Sequence, residues 1–209
     1  MRRRIVIQVE RQSVSESRFA SLDRAQIDRL TEAFRLWRDS APTTYIRRVR
    51  GRYWLAYLLL RHTGARIGEV LSLNDLTDID FGDAHVHIAV LDEETDRQVL
   101  RSIPVPAELI RELLRYLDEF PMMRGRVFAL DPGNFRREFY RRAEEAEIPR
   151  ELSHPHILRH TRAVELLEAG VPLSMVRDLL GHALSSTTAL YVRRTEITTT
   201  HVLRERGIL

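Results

Sequence analysis

The chain has 209 residues, 44% of them hydrophobic, which is enough for one good-sized domain or two small ones and excludes gross disorder. It has no cysteine, so disulfides and thiolate zinc sites are excluded and a reducing cytoplasm fits best. All 33 basic Lys+Arg positions are arginine, and 30 acids hold the net charge to +3, so the pI of about 9.7 reflects arginines that never titrate rather than a strong positive field.

The chain opens Met1-Arg2-Arg3-Arg4-Ile5-Val6-Ile7, basic but with no long apolar core or small-residue cleavage site behind it, so no signal peptide is expected. Residues 1–20 read as an N-terminal arm. From Ser21 the pattern turns helical: Ile27, Leu30, Phe34 and Trp37 recur at helical spacing, Ser21 or Asp23 can cap, and Ala41-Pro42 ends the run. A second helix runs from about Thr44 into Tyr53–Arg61. Its end is apolar all round, which predicts deep burial, and Gly64 supplies a left-handed cap. Its apolar run Trp54–Leu60 is far too short to span a bilayer, and no membrane partner is expected. A short helix follows from about Gly68 to Leu73.

Thr77 to Val105 reads as strands. His85–Val90 and Gln98–Ile103 pair across an acidic turn, after a turn at Phe81-Gly82-Asp83. Pro106 opens a helix with Leu109, Leu113, Leu114 and Leu117 on one side. Further helices are predicted over Gly133–Ala146, Pro155–Ala169 (stopped by Gly170), Leu173–Leu180 (stopped by Gly181), Ser186–Val192 and Ile197–Arg206. There is no internal repeat or Gly/Ser linker. The layout is α+β, mostly α-helical, with one small antiparallel sheet.

The chemistry-bearing residues are Arg66, His156, Arg159, His160, His182 and Tyr191. Cleaving a phosphodiester passes through a pentacoordinate phosphorus with extra negative charge on its equatorial oxygens, and donors fixed in place stabilise that charge. Two arginines from separate elements can grip the two non-bridging oxygens. Arg66 follows the Gly64 turn at the start of a helix, where free backbone N–H groups also favour an anion. His156 shares a helix face with Arg159 at i,i+3 and with His160 at i,i+4. A free tyrosine titrates near 10, so it needs nearby arginines to lower that value and a histidine to take the proton. His154, His156 and His160 are imidazoles of the kind that bind metals, but beside the arginines and without cysteine no metal or cofactor is expected. His85 and His87 lie on one side of a strand and read as solvated.

These segments are similar to the boxes of the tyrosine recombinases, the phage integrase family. They are His156-x-x-Arg159-His160-Thr161, Leu179-Leu180-Gly181-His182, Thr187-Thr188-x-x-Tyr191 and, upstream, Thr63-Gly64-x-Arg66-x-x-Glu69. The resemblance spans roughly residues 21–195, taken as the catalytic domain, with 196–209 as a C-terminal tail exchanged between protomers. It implies Arg66 and Arg159 as phosphate clamps, His156 as acid/base, His182 as transition-state donor and Tyr191 as nucleophile. His160 would support the site and Glu69 would orient the first arginine box. The implied activity is site-specific cleavage and rejoining of DNA through a 3′-phosphotyrosine, with double-stranded DNA as partner and a tetramer assembled on it. Arg47, Arg48, Arg50, Arg52, Arg136 and Arg137 are candidates for a DNA-facing belt.

Two features depart from the family pattern. The family places a lysine in the β-hairpin turn to protonate the leaving 5′-oxygen, whereas this chain has no lysine and an acidic turn, Asp92-Glu93-Glu94-Thr95-Asp96. Arg97 or Arg101 can supply charge there, but arginine is a poor proton donor. Typical members also carry a separate core-binding domain before the catalytic one; only about twenty residues precede the resemblance, as expected of a minimal member or a fragment of a longer protein. The alternative function is a DNA-binding regulator that keeps the fold with little or no cleavage.

Overall fold

A computed structural model describes residues 21–92 and 97–181. Helix α1 (Arg24–Asp39) starts at a reciprocal cap: the Asp23 side chain accepts from the Gln26 N–H at 2.7 Å and the Gln26 side chain accepts from the Asp23 N–H at 2.9 Å. Thr43 caps α2 (Thr44–Thr63), and Gly64 closes it in the left-handed region at φ 63. The predicted all-round burial of α2 holds, because Trp54 to Arg61 are all buried. This helix is the central post, with α1, α3 (Ile67–Leu71), α4 (Ala107–Glu119) and α6 (His156–Glu168) packed on it.

Aromatic side chains fill the space between α1, α2 and α5 (Pro132–Glu145). Phe34 stacks on Tyr57 with ring centroids 4.2 Å apart, and Phe139 lies 5.9 Å from Phe34. The buried Tyr57 hydroxyl shares a 2.7 Å hydrogen bond with Thr31, so its polar end is satisfied. Helix α5 begins at the Asp131 cap with Pro132 in its first position, one residue before the predicted start.

The sheet has order β1-β2-β3 and is antiparallel throughout: β1 (Ile79–Asp80), β2 (His85–Asp92) and β3 (Arg97–Pro104). The hairpin register pairs Val86 with Ile103 and Ile88 with Arg101. Val86, Ile88 and Ile103 are buried, so this face of the sheet covers the core. Helix α7 (Leu173–Leu180) packs on α6 and β3, and Ala163, Val176 and Leu180 form a small second apolar cluster. Observed bounds differ from the sequence expectation by a residue or two, and α3 ends at Leu71 rather than Leu73 because Ser72 takes the C-cap position. Single turns of 3-10 helix at Pro121–Met123 and Arg150–Leu152 were not foreseen; each follows a proline or starts at one and is too short to carry a period. The expected arm at 1–20, most of the acidic turn and the helices expected at 186–192 and 197–206 lie outside the described residues.

Candidate phosphate-binding site

Helix α2 ends where the site begins. The left-handed Gly64 reverses the chain, and Arg66 becomes the N-cap residue of α3 with a φ of -72 and ψ of 149. Glu69, three residues on, reaches back: its Oε2 accepts the Arg66 backbone N–H at 2.6 Å and its Oε1 accepts from Arg66 Nη1 at 3.3 Å. The carboxylate therefore satisfies a first-turn N–H and steers a guanidinium whose side chain is still 42% exposed.

Arg159 comes from the first turns of α6 and is only 3% exposed. Its Nη1 donates to the Gly64 carbonyl at 3.0 Å and its Nη2 to the Gly181 carbonyl at 3.2 Å. One planar guanidinium thus ties the end of α2 to the end of α7. Burial lowers its pKa to about 10, with Arg66 and Arg101 adding to the shift and Glu69 opposing it, so it stays charged at neutral pH.

His156 opens α6 at the surface, and its ring meets that of His160 edge-on at 4.9 Å. Loss of water on its inner side, then His160, Arg159, His154 and Arg66, push the His156 imidazole down to about 4. It is neutral at pH 7 and able to accept a proton. Burial, then His154 and Arg159, lower His160 as well.

The structure therefore brings Arg66, Glu69, His156, Arg159 and His160 to one place, from α3 and α6. His182 and Tyr191 lie outside the described residues, as does nearly all of the acidic turn. A residue not assigned from sequence joins the site: Arg101 on β3, 8% exposed, whose Nη2 donates to Glu69 Oε2 at 2.9 Å. The missed signal was strand alternation. Arg101 shares the inward face of β3 with buried Ile103, while Leu100 points outward at 70% exposure, so the strand presents a charge to the interior.

The candidate belt divides. Arg52 donates to the carbonyls of Val127, Ala129 and Arg126, at 2.8, 2.5 and 3.2 Å, and Arg50 donates to the Trp37 carbonyl at 2.7 Å while lying 5.0 Å over the Trp37 ring. Both guanidiniums are engaged inside the fold. Arg47 pairs with Glu119 at 3.2 Å and Arg48 lies over Tyr45 at 5.2 Å. All four sit in the first half of α2, about 18–26 Å along the helix from Gly64 at 1.5 Å per residue. Arg136 and Arg137 stand exposed on α5, with Arg137 reaching Asn134 at 2.9 Å. Among the described residues no group of three or more His, Cys, Asp or Glu is placed to hold a metal ion, and no helix is long and apolar enough to cross a membrane.

The chain is 32% identical over 164 residues to a tyrosine recombinase XerD of Mycobacterium tuberculosis, covering 70% of this chain and 48% of that protein. It is 33% identical over 150 residues to a tyrosine recombinase XerA of Pyrococcus furiosus, covering 68% and 50%. The chain thus spans about half the length of the curated relatives it matches. Among solved structures its fold is similar to a XerA recombinase, with a TM-score of 0.64 at 23% identity over 87% of this chain and 63% of that one. It is also similar to a Tn1549 transposon integrase in complex with transposon right-end DNA, with a TM-score of 0.65 at 17% identity over 92% and 67%. The family description "Phage integrase family" matches residues 21–197, most of the chain, and on that ground the chain belongs to the phage integrase family.

Proposed function

We propose that this chain carries out site-specific cleavage and rejoining of double-stranded DNA through a 3′-phosphotyrosine. The observation that carries the reading is the Arg159 bridge from Gly64 to Gly181. It puts the turn leading to Arg66 and the residue preceding His182 on one guanidinium, beside a neutral His156. Arg66 and Arg159 supply charge for the non-bridging oxygens of a phosphodiester. The Tyr191 hydroxyl attacks phosphorus, its proton passing to His156, while the bond to the 5′-oxygen breaks and that oxygen takes a proton from solvent water to leave as a hydroxyl. His182 donates to the phosphoryl oxygens in the transition state, and His160 supports the ring of His156. The covalent phosphotyrosine keeps the bond energy, so rejoining to another strand needs no nucleotide triphosphate. Exchange requires four protomers on two duplexes, with residues 21–195 as the catalytic unit and the tail from 196 reaching a neighbouring protomer. The two relatives named above are both tyrosine recombinases, and a XerH recombinase captured on its difH substrate before cleavage points the same way.

The decisive assay is covalent capture on a duplex nicked close to the cleavage point, so that the released fragment diffuses away and traps the intermediate. A protein–DNA adduct that disappears in Tyr191→Phe is the expected result. The lack of any lysine favours a second reading, a regulator that binds without cutting. A sequence-specific gel shift with no adduct from the native chain would establish that reading and overturn the first.

A further inference from the structure

Arg101 presents a problem that packing does not solve. It is 92% removed from solvent by its 8% exposure, and its Nε and Nη1 find no hydrogen-bond partner among the described residues. Burial lowers its pKa against the pull of Glu69. An arginine in that condition costs stability relative to an apolar side chain of similar size. Two of its contacts, however, are with parts of the candidate site. Nη2 donates to Glu69 Oε2 at 2.9 Å, the same oxygen that accepts the Arg66 backbone N–H at 2.6 Å. On the other side Nη1 occupies the space that a side chain at position 181 would need, and Gly181 has a φ of 82. The Gly181 carbonyl is meanwhile held by Arg159 at 3.2 Å. Gly181 is therefore bracketed by two guanidiniums, and His182 is the next residue in the chain.

We propose that Arg101 is a positioning residue for strand cleavage: it locks Glu69, and through it Arg66, against the Gly181 peptide from which the His182–Tyr191 segment departs. The proposal rests on the recombinase reading above. Glycine at 181 serves two needs at once, a backbone turn that side chains resist and close approach by Arg101. The bracket fixes Arg66 and Glu69 on α3 relative to the Gly181 peptide at the end of α7. A misplacement of about 1 Å in such a constellation lowers a rate by roughly a hundredfold. Arg101 does not touch the scissile group in this scheme and moves no proton; it acts through Glu69 and Gly181.

The test compares the full chain with Arg101→Met and Arg101→Lys in three measurements: urea stability, affinity for intact duplex, and single-turnover covalent capture on the nicked substrate. The methionine variant is expected to be as stable as the native chain or more so, to bind duplex within about threefold, and to be captured at least about tenfold more slowly. The lysine variant, which can reach Glu69 but cannot fill the space at Gly181, is expected to recover only part of the rate. Native-rate capture by Arg101→Met overturns the proposal. So does a rate loss matched by an equal loss of DNA affinity, which would make Arg101 a DNA contact, or by an equal loss of stability. Full rescue of Arg101→Met by a substrate with sulfur at the bridging 5′ position, whose thiolate leaves without a proton, would assign Arg101 to the leaving group and also overturn it. A separate readout needs no cleavage. The stability penalty of Gly181→Ala should shrink in an Arg101→Ala background, since the collision is removed while the backbone strain remains. Additive penalties would refute the bracket. Failure of the native chain to form any adduct would instead sink the recombinase reading, and the Gly181–Arg101 coupling would still decide the contact.

Discussion

Gly64→Ala tests the local wiring most directly, because the structure separates two penalties. The residue sits at φ 63, where alanine is disfavoured by about 1–2 kcal/mol. A β-carbon there would also collide with Leu180 Cδ2 and lie 3.2 and 3.3 Å from Cβ and Cγ of Arg162. Leu180 is fully buried and cannot swing aside freely, and the Arg162 atoms are close to their own backbone, so overpacking adds about 1–3 kcal/mol. The sum is roughly 2–5 kcal/mol, or a melting temperature lower by roughly 4–20 °C for a chain of this size. Gly68 is the internal control. It lies in α3 with nothing within 4 Å of a built β-carbon and no unusual φ, so Gly68→Ala is expected to be neutral or to stabilise by up to about 1 kcal/mol. Urea denaturation of both variants reads the difference. Because the Gly64 carbonyl accepts from Arg159, covalent capture by folded Gly64→Ala should also fall while Gly68→Ala retains it. A Gly64→Ala penalty below about 1 kcal/mol, or one equal to that of Gly68→Ala, would show that the turn is not the rigid joint described and refute the reasoning.

Three further outcomes follow from the same contacts. Arg66→Ala and Arg159→Ala should both reduce covalent capture by orders of magnitude and keep most DNA affinity, but only Arg159→Ala should unfold early in urea. It orphans two carbonyls at about 1–3 kcal/mol each, whereas the Arg66 side chain is half-exposed and donates to Glu69 rather than to a buried carbonyl; equal stabilities for the two variants would contradict the bridge. Arg52→Ala should destabilise by releasing three carbonyls, while Arg136→Ala and Arg137→Ala leave stability alone and each flatten the dependence of DNA affinity on salt by about one unit of slope. Salt slopes unchanged in both α5 variants would remove that helix from the DNA face. The third concerns acid. His156 titrates near 4 when folded against an ordinary 6.5, so between those values the unfolded chain binds more protons, and stability falls as pH drops through that window. Urea midpoints at about pH 7 and about pH 5 should therefore move further apart for the native chain than for His156→Asn; equal shifts would show that this imidazole is not held neutral.

Much of this was legible in the residues, and the reasons are physical. Helices that carry an apolar stripe and a chemical stop, such as α1 with Asp23 and α7 with Gly181, declare both period and end. The hairpin was legible because alternation fixes which face is buried. The joint spacing of Arg66, Glu69, His156, Arg159 and His160 was legible because i,i+3 and i,i+4 relations hold in any helix. Long-range partners were not legible. Nothing local to Arg52 announces that its guanidinium crosses to the 127–129 carbonyls, and nothing local to Arg61 announces its 2.7 Å pair with Glu165, which joins α2 to α6. An arginine run reads the same in sequence whether it faces a phosphate or caps a loop. Arg101 was noticed as a charge near the hairpin but not as part of the site, since that requires the strand's register and the arrival of α7 against it.

The electrostatics of the site argue for the sign of its ligand. Arg66, Arg101 and Arg159 surround a single carboxylate, Glu69, leaving two positive charges uncompensated within this cluster. Every resolved shift there has the same direction: Arg159 and Arg101 are held below the ordinary arginine value, and His156 and His160 below the ordinary histidine value. A neutral ligand would add desolvation and deepen all four shifts, and a cation would deepen them further. An anion reverses all four at once, restoring the arginines and raising the imidazole toward the range in which it can both take and return a proton. The fold tolerates this strain because the buried Arg159 guanidinium also braces it through the Gly64 and Gly181 carbonyls. In the proposed reaction, the backbone phosphodiester of duplex DNA is the anion that supplies this charge.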